Sequence, residues 1–219
     1  MNNNDYLILK ELSIGFNKVQ KPLYSPISAT LLRGNLIALF GRNGIGKSTL
    51  LKTIMGLQPP KSGEVILCGE DISRWTPAQI ATHLAFVPSN PIRAHRLSVA
   101  DMVGTGRHRF TNIFGSEQKR DKESIHQALE ATKLTHLALR DSSTLSDGEM
   151  QRASISRSLV QETPIILLDE PTAFLDLGNK YQIIQLLKQL TRTNNKAILF
   201  STHDLAMALQ VCDLIWIMD

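Results

Sequence analysis

Cysteine is nearly absent from this chain, and its two thiols, Cys68 and Cys212, stand far apart with no C-x-x-C spacing. That excludes a disulfide framework and a zinc site built on paired cysteines, and it predicts reduced thiols in the core. Long apolar runs are missing too: nothing approaches the roughly eighteen residues that a membrane span requires. The start, Met1-Asn2-Asn3-Asn4-Asp5, lacks both the basic and the apolar segment of a secretory leader, so a cytosolic chain is expected. There is no internal repeat, no low-complexity segment and no ligand-like cluster among the histidines. Charge of one sign is also lacking, since a net +4 spread over 219 residues leaves no broad footprint for nucleic acid. One denser stretch holds Arg93, His95, Arg96, Arg107, His108 and Arg109. It fits a phosphate-facing patch, a membrane-side surface or a docking face, and equally an ordinary solvated surface.

What is present is local and specific. Gly41-Arg42-Asn43-Gly44-Ile45-Gly46-Lys47-Ser48 is the pattern G-x-x-x-x-G-K-[ST], placed after the apolar run Leu36 to Phe40 and before a helix-like segment, Thr49 to Met55. The glycines let backbone N–H groups curl around phosphates, and the helix that follows offers unpaired N–H groups and a positive dipole end. In such a loop Lys47 reaches the β- and γ-phosphates, the Ser48 hydroxyl ligates Mg²⁺, and Thr49 donates to a phosphate oxygen. The opposing reading is a glycine-rich strand-to-helix turn without a ligand.

A second string, Ile165-Ile166-Leu167-Leu168, has the continuous apolar character of a strand covered on both faces, and it delivers Asp169 and Glu170 at its end. A carboxylate at that edge of a parallel sheet faces the ligand crevice. Asp169 is read as the direct or outer partner of Mg²⁺ and Glu170 as the group that polarises the attacking water. Without the Gly-Lys-Ser loop upstream, a surface cap would explain the pair as well.

A third string, Leu145-Ser146-Asp147-Gly148-Glu149, contains an S-x-x-E capping box, which predicts a helix start with an amide-rich end beside a glycine that permits close approach. By itself this pattern describes any capped helix.

Strands are expected at Leu36 to Phe40, Ala85 to Val87, Ile165 to Leu168, Ala197 to Phe200 and Leu214 to Met218, after an antiparallel-looking start from Leu7 to Phe16. Helices are expected near Lys47 to Met55, Lys180 to Thr191 and Leu205 to Val211. Pro59-Pro60-Lys61-Ser62-Gly63 reads as a turn and Thr76-Pro77 as a helix start. This alternation argues for an α/β layered sheet. Strand signals vanish between about Ser98 and Gln161, where Ser98 to Thr105, Glu117 to Lys133 and Glu149 to Gln161 carry helical spacing. The expected division is a core of residues 1–96 and 162–219 with a helical lobe, 97–161, inserted in it.

In motif order from about residue 7 onward, the chain resembles the nucleotide-binding subunit of an ATP-binding-cassette (ABC) transporter. Leu145-Ser146-Asp147-Gly148-Glu149 is similar to that family's LSGGQ signature, with Asp147 where glycine is usual and Glu149 where glutamine is usual. The resemblance implies a P-loop NTPase core with a mostly parallel sheet, and an ATPase using ATP and Mg²⁺. It implies a homodimer in which Ser146, Gly148 and Glu149 of one copy face the γ-phosphate held by the other. Nucleotide-driven closure is expected to be weaker than usual, because both departures add negative charge.

His203 matches the switch histidine that contacts the γ-phosphate. Phe16 matches an aromatic that stacks on adenine, or else lies in the core. Asp176 matches the loop that reports one site's state to the other subunit, or else a solvated turn. Ser89 stands where a glutamine commonly reaches Mg²⁺ and the attacking water; a serine spans that gap only with a bridging water, unless Asn90 supplies the amide. The resemblance also implies that the lobe docks on transmembrane permease subunits, served by a substrate-binding protein, at the cytoplasmic face of the membrane, with no nucleic-acid partner. It implies a chain that continues beyond Asp219.

The run Leu97-Ser98-Val99-Ala100-Asp101-Met102-Val103-Gly104-Thr105-Gly106-Arg107 resembles importers of iron chelates, haem and cobalamin. Two alternatives stay open: a soluble ABC-type ATPase acting on nucleic acid or ribosomes, and a nucleotide-binding subunit with weak catalysis.

Overall fold

The computed structural model describes residues 5–15, 25–91, 93, 95–108, 110 and 119–219. The elements run β1 (Asp5–Ser13), β2 (Ile27–Leu32), β3 (Leu36–Gly41), α1 (Lys47–Ile54), β4 (Ser62–Leu67), β5 (Glu70–Asp71), α2 (Pro77–Ile80), β6 (Leu84–Val87), α3 (Val99–Gly104), α4 (Lys119–Ala131), α5 (Asp147–Leu159), β7 (Ile165–Leu168), α6 (Leu177–Asn194), β8 (Ala197–Thr202), α7 (Leu205–Val211) and β9 (Leu214–Met218).

Five strands form a parallel sheet in the order β6-β7-β8-β3-β9, and β2-β1-β4-β5 form a separate antiparallel sheet. The apolar runs explain the parallel sheet. Successive side chains of a strand point to opposite faces, and here both faces are covered. Ile37 and Leu39 of β3, Ile165 and Leu167 of β7, and Leu199 of β8 enter a core shared with α1 and the antiparallel sheet. Their neighbours Leu36, Ala38, Ile166, Leu168, Ile198 and Phe200 enter a second core, against α6 and α7. Each such Leu or Ile contributes about 1.5–3 kcal/mol by leaving water. A third cluster, including Val99, Met102, Val103, Ile125, Leu129, Met150 and Ala153, is built by α3, α4 and α5. Leu159, at the end of α5, packs against both the second and the third cluster.

Three strands lie outside the sequence reading. In β4 the first half, Ser62 to Glu64, is exposed and resembles the turn that precedes it, while Val65 to Leu67 are buried. In β2 only Leu31 is fully buried, so no two-sided apolar run marks it. The third, β5, has only two residues. The thiols also correct the expectation of core cysteines: Cys68 is exposed and Cys212 half-buried. Cys68 and Gly69 form the two-residue turn between β4 and β5, with φ of 51° and 90°, the pairing a tight hairpin turn demands.

Arg107, in the basic stretch, is 2% exposed rather than a surface cation. Its Nε donates to Asp121 Oδ1 at 2.8 Å, and its Nη1 donates to Glu162 Oε1 at 2.6 Å and to the Val160 carbonyl at 2.9 Å. The guanidinium also stacks on Phe110, 3.7 Å from the ring centroid. Arg109 and Phe16 lie outside the described residues.

Candidate functional site

Parallel register brings the strand ends together. Phe40 of β3 pairs with Thr202 of β8, and Leu168 of β7 pairs with Phe200 of β8. Because β8 lies between β7 and β3, the Gly41–Ser48 loop, Asp169 with Glu170, and Ser201 to His203 emerge side by side at one edge of the sheet. That is the edge where open α/β sheets bind ligands.

The loop after β3 carries Gly44 at φ 80° and Gly46 at φ 113°, backbone that side-chain-bearing residues rarely adopt. Gly46 is the N-cap of α1, and no side chain caps that helix. The first amides of a helix have no intrahelical partner, so the amide end at Lys47, Ser48 and Thr49 is available to an anion. Asn43 and Gly44 are exposed, Ser48 is half-buried, and Thr49 is buried.

Lys47 is 5% exposed. Its Nζ donates to the carbonyls of Gly41 at 2.7 Å and Arg42 at 3.2 Å, and it lies 2.9 Å from Glu170 Oε1. The other carboxylate oxygen of Glu170 lies 3.0 Å from His203 Nδ1. A carboxylate only accepts, so Nδ1 carries the proton there. Lys47, Glu170 and His203 thus form one continuous polar chain.

Glu170 holds φ at 45°, in the left-handed region. Such strain persists where surrounding bonds over-determine it. Here its N–H donates to Ser201 Oγ at 2.8 Å, and Ser201 Oγ donates to Asp169 Oδ1 at 2.7 Å. Ser201 therefore fixes both acidic residues at once. It was visible only as a member of Ser201-Thr202-His203-Asp204, and strand parity was the signal that pointed it inward.

Asp169 is 7% exposed, with its N–H donating to the Val87 carbonyl at 2.9 Å. Ser89 follows two residues after Val87 and is half-buried at the same edge. The donor set suits a hard divalent cation: hydroxyl oxygens of Ser48 and Ser89 and one buried carboxylate. Among the described residues, no group of three or more His, Cys, Asp or Glu side chains is placed to hold a metal by itself.

The capping box expected at 146–149 is formed. Ser146 is the N-cap of α5, accepting at Oγ from Glu149 N–H at 3.3 Å, while Glu149 Oε2 accepts from Ser146 N–H at 2.8 Å and Ser146 Oγ–H at 2.9 Å. The Ser146 backbone N–H holds the Glu149 carboxyl below the usual carboxylate range. Ser146 and Asp147 are exposed, Gly148 is buried and Glu149 half-buried. A Cβ on Gly148 would lie 2.6 Å from Asn179 Oδ1, so this glycine serves packing between the starts of α5 and α6.

Asp176 is exposed and caps α6, accepting from Asn179 N–H at 2.9 Å and from Asn179 Nδ2 at 2.7 Å. The first of these bonds lowers its pKa most. Asn179 thereby connects Asp176 to Gly148, a link no sequence spacing revealed.

A family model described as "ABC transporter" matches residues 24–173. The achromobactin transport ATP-binding protein CbrD of Dickeya dadantii (strain 3937) is 37% identical over 204 residues, spanning 93% of this chain and 75% of that protein. The probable siderophore transport system ATP-binding protein YusV of Bacillus subtilis (strain 168) is 37% identical over 197 residues, spanning 90% of this chain and 71% of that one. A solved inward-facing ABC transporter, assigned to the metal-chelate type, superposes with a TM-score of 0.83 at 30% identity, covering 99% of this chain and 80% of its own.

Proposed function

From the premise that this chain belongs to the ABC transporter family, we propose that it is the ATP-hydrolysing subunit of an importer whose cargo is an iron chelate. The observation that carries hydrolysis is the Glu170 carboxylate held between Lys47 and His203 at the mouth of an uncapped helix. The relatives' siderophore-transport names support the cargo class, with haem and cobalamin as the alternatives.

Lys47 leaves Glu170 for the β- and γ-phosphates when ATP enters the loop, whose amides take the remaining phosphate oxygens. Glu170, released from the ammonium, orients a water against the γ-phosphorus and accepts its proton as the bond to the bridging oxygen breaks. His203, beside Glu170 through Nδ1, is read as the contact to the γ-phosphate. Ser48, Asp169 and Ser89 would hold Mg²⁺, which supplies charge neutralisation of the phosphates. A second copy closes the site, its exposed Ser146 turned toward the triphosphate and its Asp176 beside the seam. Phe16 is read as the adenine platform.

The core of residues 1–96 and 162–219 carries the nucleotide. The lobe of residues 97–161 docks on permease subunits at the cytoplasmic face of the membrane, served by a substrate-binding protein. Among the described residues no helix is long and apolar enough to cross a membrane.

The test compares phosphate release by the chain with that of Glu170→Gln. Removal of a general base lowers turnover about 10²–10⁴-fold, while MgATP binding is retained because Lys47 no longer has a competing carboxylate. Equal rates in the two proteins defeat the hydrolytic reading, and stimulation by RNA or DNA in place of permease defeats the transport reading.

A further inference from the structure

Arg93 opens the basic stretch, and its guanidinium reaches the start of α5 from 54 positions away. Nη2 lies 2.6 Å from Asp147 Oδ1, and Nη1 donates to the Leu145 carbonyl at 2.7 Å. Both contacts flank Ser146, the N-cap. Asp147 is the residue that replaces a glycine of the family string, at the first helical position. A carboxylate there suits the helix dipole and repels an incoming phosphate.

The second added carboxylate, Glu149, is turned back on Ser146 N–H and Oγ, so its charge is engaged inside the cap. Asp147 has no such inward role: its side chain is 67% exposed, on the same edge as Ser146, and Arg93 at 39% exposure lies against it.

We propose that Arg93 is the positioning residue that lets this altered signature accept a phosphate. It cancels the Asp147 carboxylate and anchors the residue preceding the cap, so the amide end of α5 meets a triphosphate without a net anionic barrier. Arg93 follows Ser89 by four positions, so the same contact ties the strand-end loop of β6 to the signature. The inference rests on the reading that the start of α5 meets nucleotide held by a second copy.

The experiment measures MgATP-driven dimerisation by analytical ultracentrifugation in a Glu170→Gln background, where hydrolysis is arrested. Arg93→Ala is expected to weaken the dimer about tenfold, the effect of a like charge left facing an anion. Asp147→Gly with Arg93 intact stays within about twofold of the parent, and Arg93→Ala combined with Asp147→Gly returns to about that level, because coupled residues depart from additivity in this way. Arg93→Gln serves as the second variant, with the same deficit and the same repair.

A deficit that Asp147→Gly leaves unrepaired overturns the inference, and so does unchanged or tighter dimerisation of Arg93→Ala. If Glu170→Gln itself stays monomeric with MgATP, the dimer reading fails and takes the inference with it, an outcome distinct from a dimer that ignores Arg93.

Discussion

Ser201 does more at this site than its place in the sequence announces. One hydroxyl accepts from Glu170 N–H and donates to Asp169, so a single side chain ties the backbone of one acidic residue to the carboxylate of the other. The glycine loop, Lys47 and the acidic pair were legible because their chemistry is written in adjacent residues. Ser201, Arg93 and Asn179 were not, because their contacts join segments that share no local period. Ser89 is the position where chemistry asks for a longer side chain. Ser89→Gln is expected to raise steady-state phosphate release about tenfold by bringing an amide to the attacking water, a positioning gain of modest size. An unchanged rate would assign that role to Asn90 or to a bridging water.

Among the elements, several of the parallel strands and helices were read nearly to the residue. β7, β9 and α7 have the expected bounds, while β8 runs two residues further, to Thr202, and α6 runs from Leu177 to Asn194. The added turn at the front of α6 follows from Asp176 acting as its cap. Of the antiparallel strands, β1 overlaps the start expected from Leu7, while β2, β4 and β5 escaped because none carries a sustained apolar pattern.

The cap of α5 gives a pH dependence. The folded pKa of Glu149 lies below its unfolded value, so its contribution is complete above the ordinary carboxylate range and fades as pH falls through the lowered value. Glu149→Gln keeps a capping-box residue and is expected to flatten that acid limb in melting curves taken at descending pH; a limb of undiminished slope would refute the assignment.

Arg107 belongs to this scale as well. Arg107→Ala removes the guanidinium that Asp121, Glu162 and the Val160 carbonyl share, and the expected loss is about 3–5 kcal/mol in denaturant unfolding. A loss below about 1 kcal/mol, the level of an exposed pair, would show the cluster to be dispensable.

The molecule as a whole presents apolar surface beside Asp176. Phe174 is 82% exposed at φ 63° and Leu177 is 70% exposed, on either side of Asp176. If two copies meet there, Phe174→Ala weakens MgATP-driven dimerisation about tenfold, as expected for an aromatic anchor at an interface, while nucleotide binding to the monomer is unaffected. Equal dimer affinity would place that ring elsewhere. The separation of the helical lobe from the strands was legible as a change of period. The way α5 joins them was not, because that helix packs into two cores at once.

Its geometry has a mechanical consequence. Thirteen residues of α helix make a strut of about 20 Å, with the signature at the tip and Arg107 gripping the Val160 carbonyl at the foot. On such a lever arm a wobble of about 5° at the foot displaces the tip by about 1.7 Å, more than a hydrogen bond tolerates. The ion cluster around Arg107 therefore bears on the aim of the signature from the opposite end of the helix, without touching it.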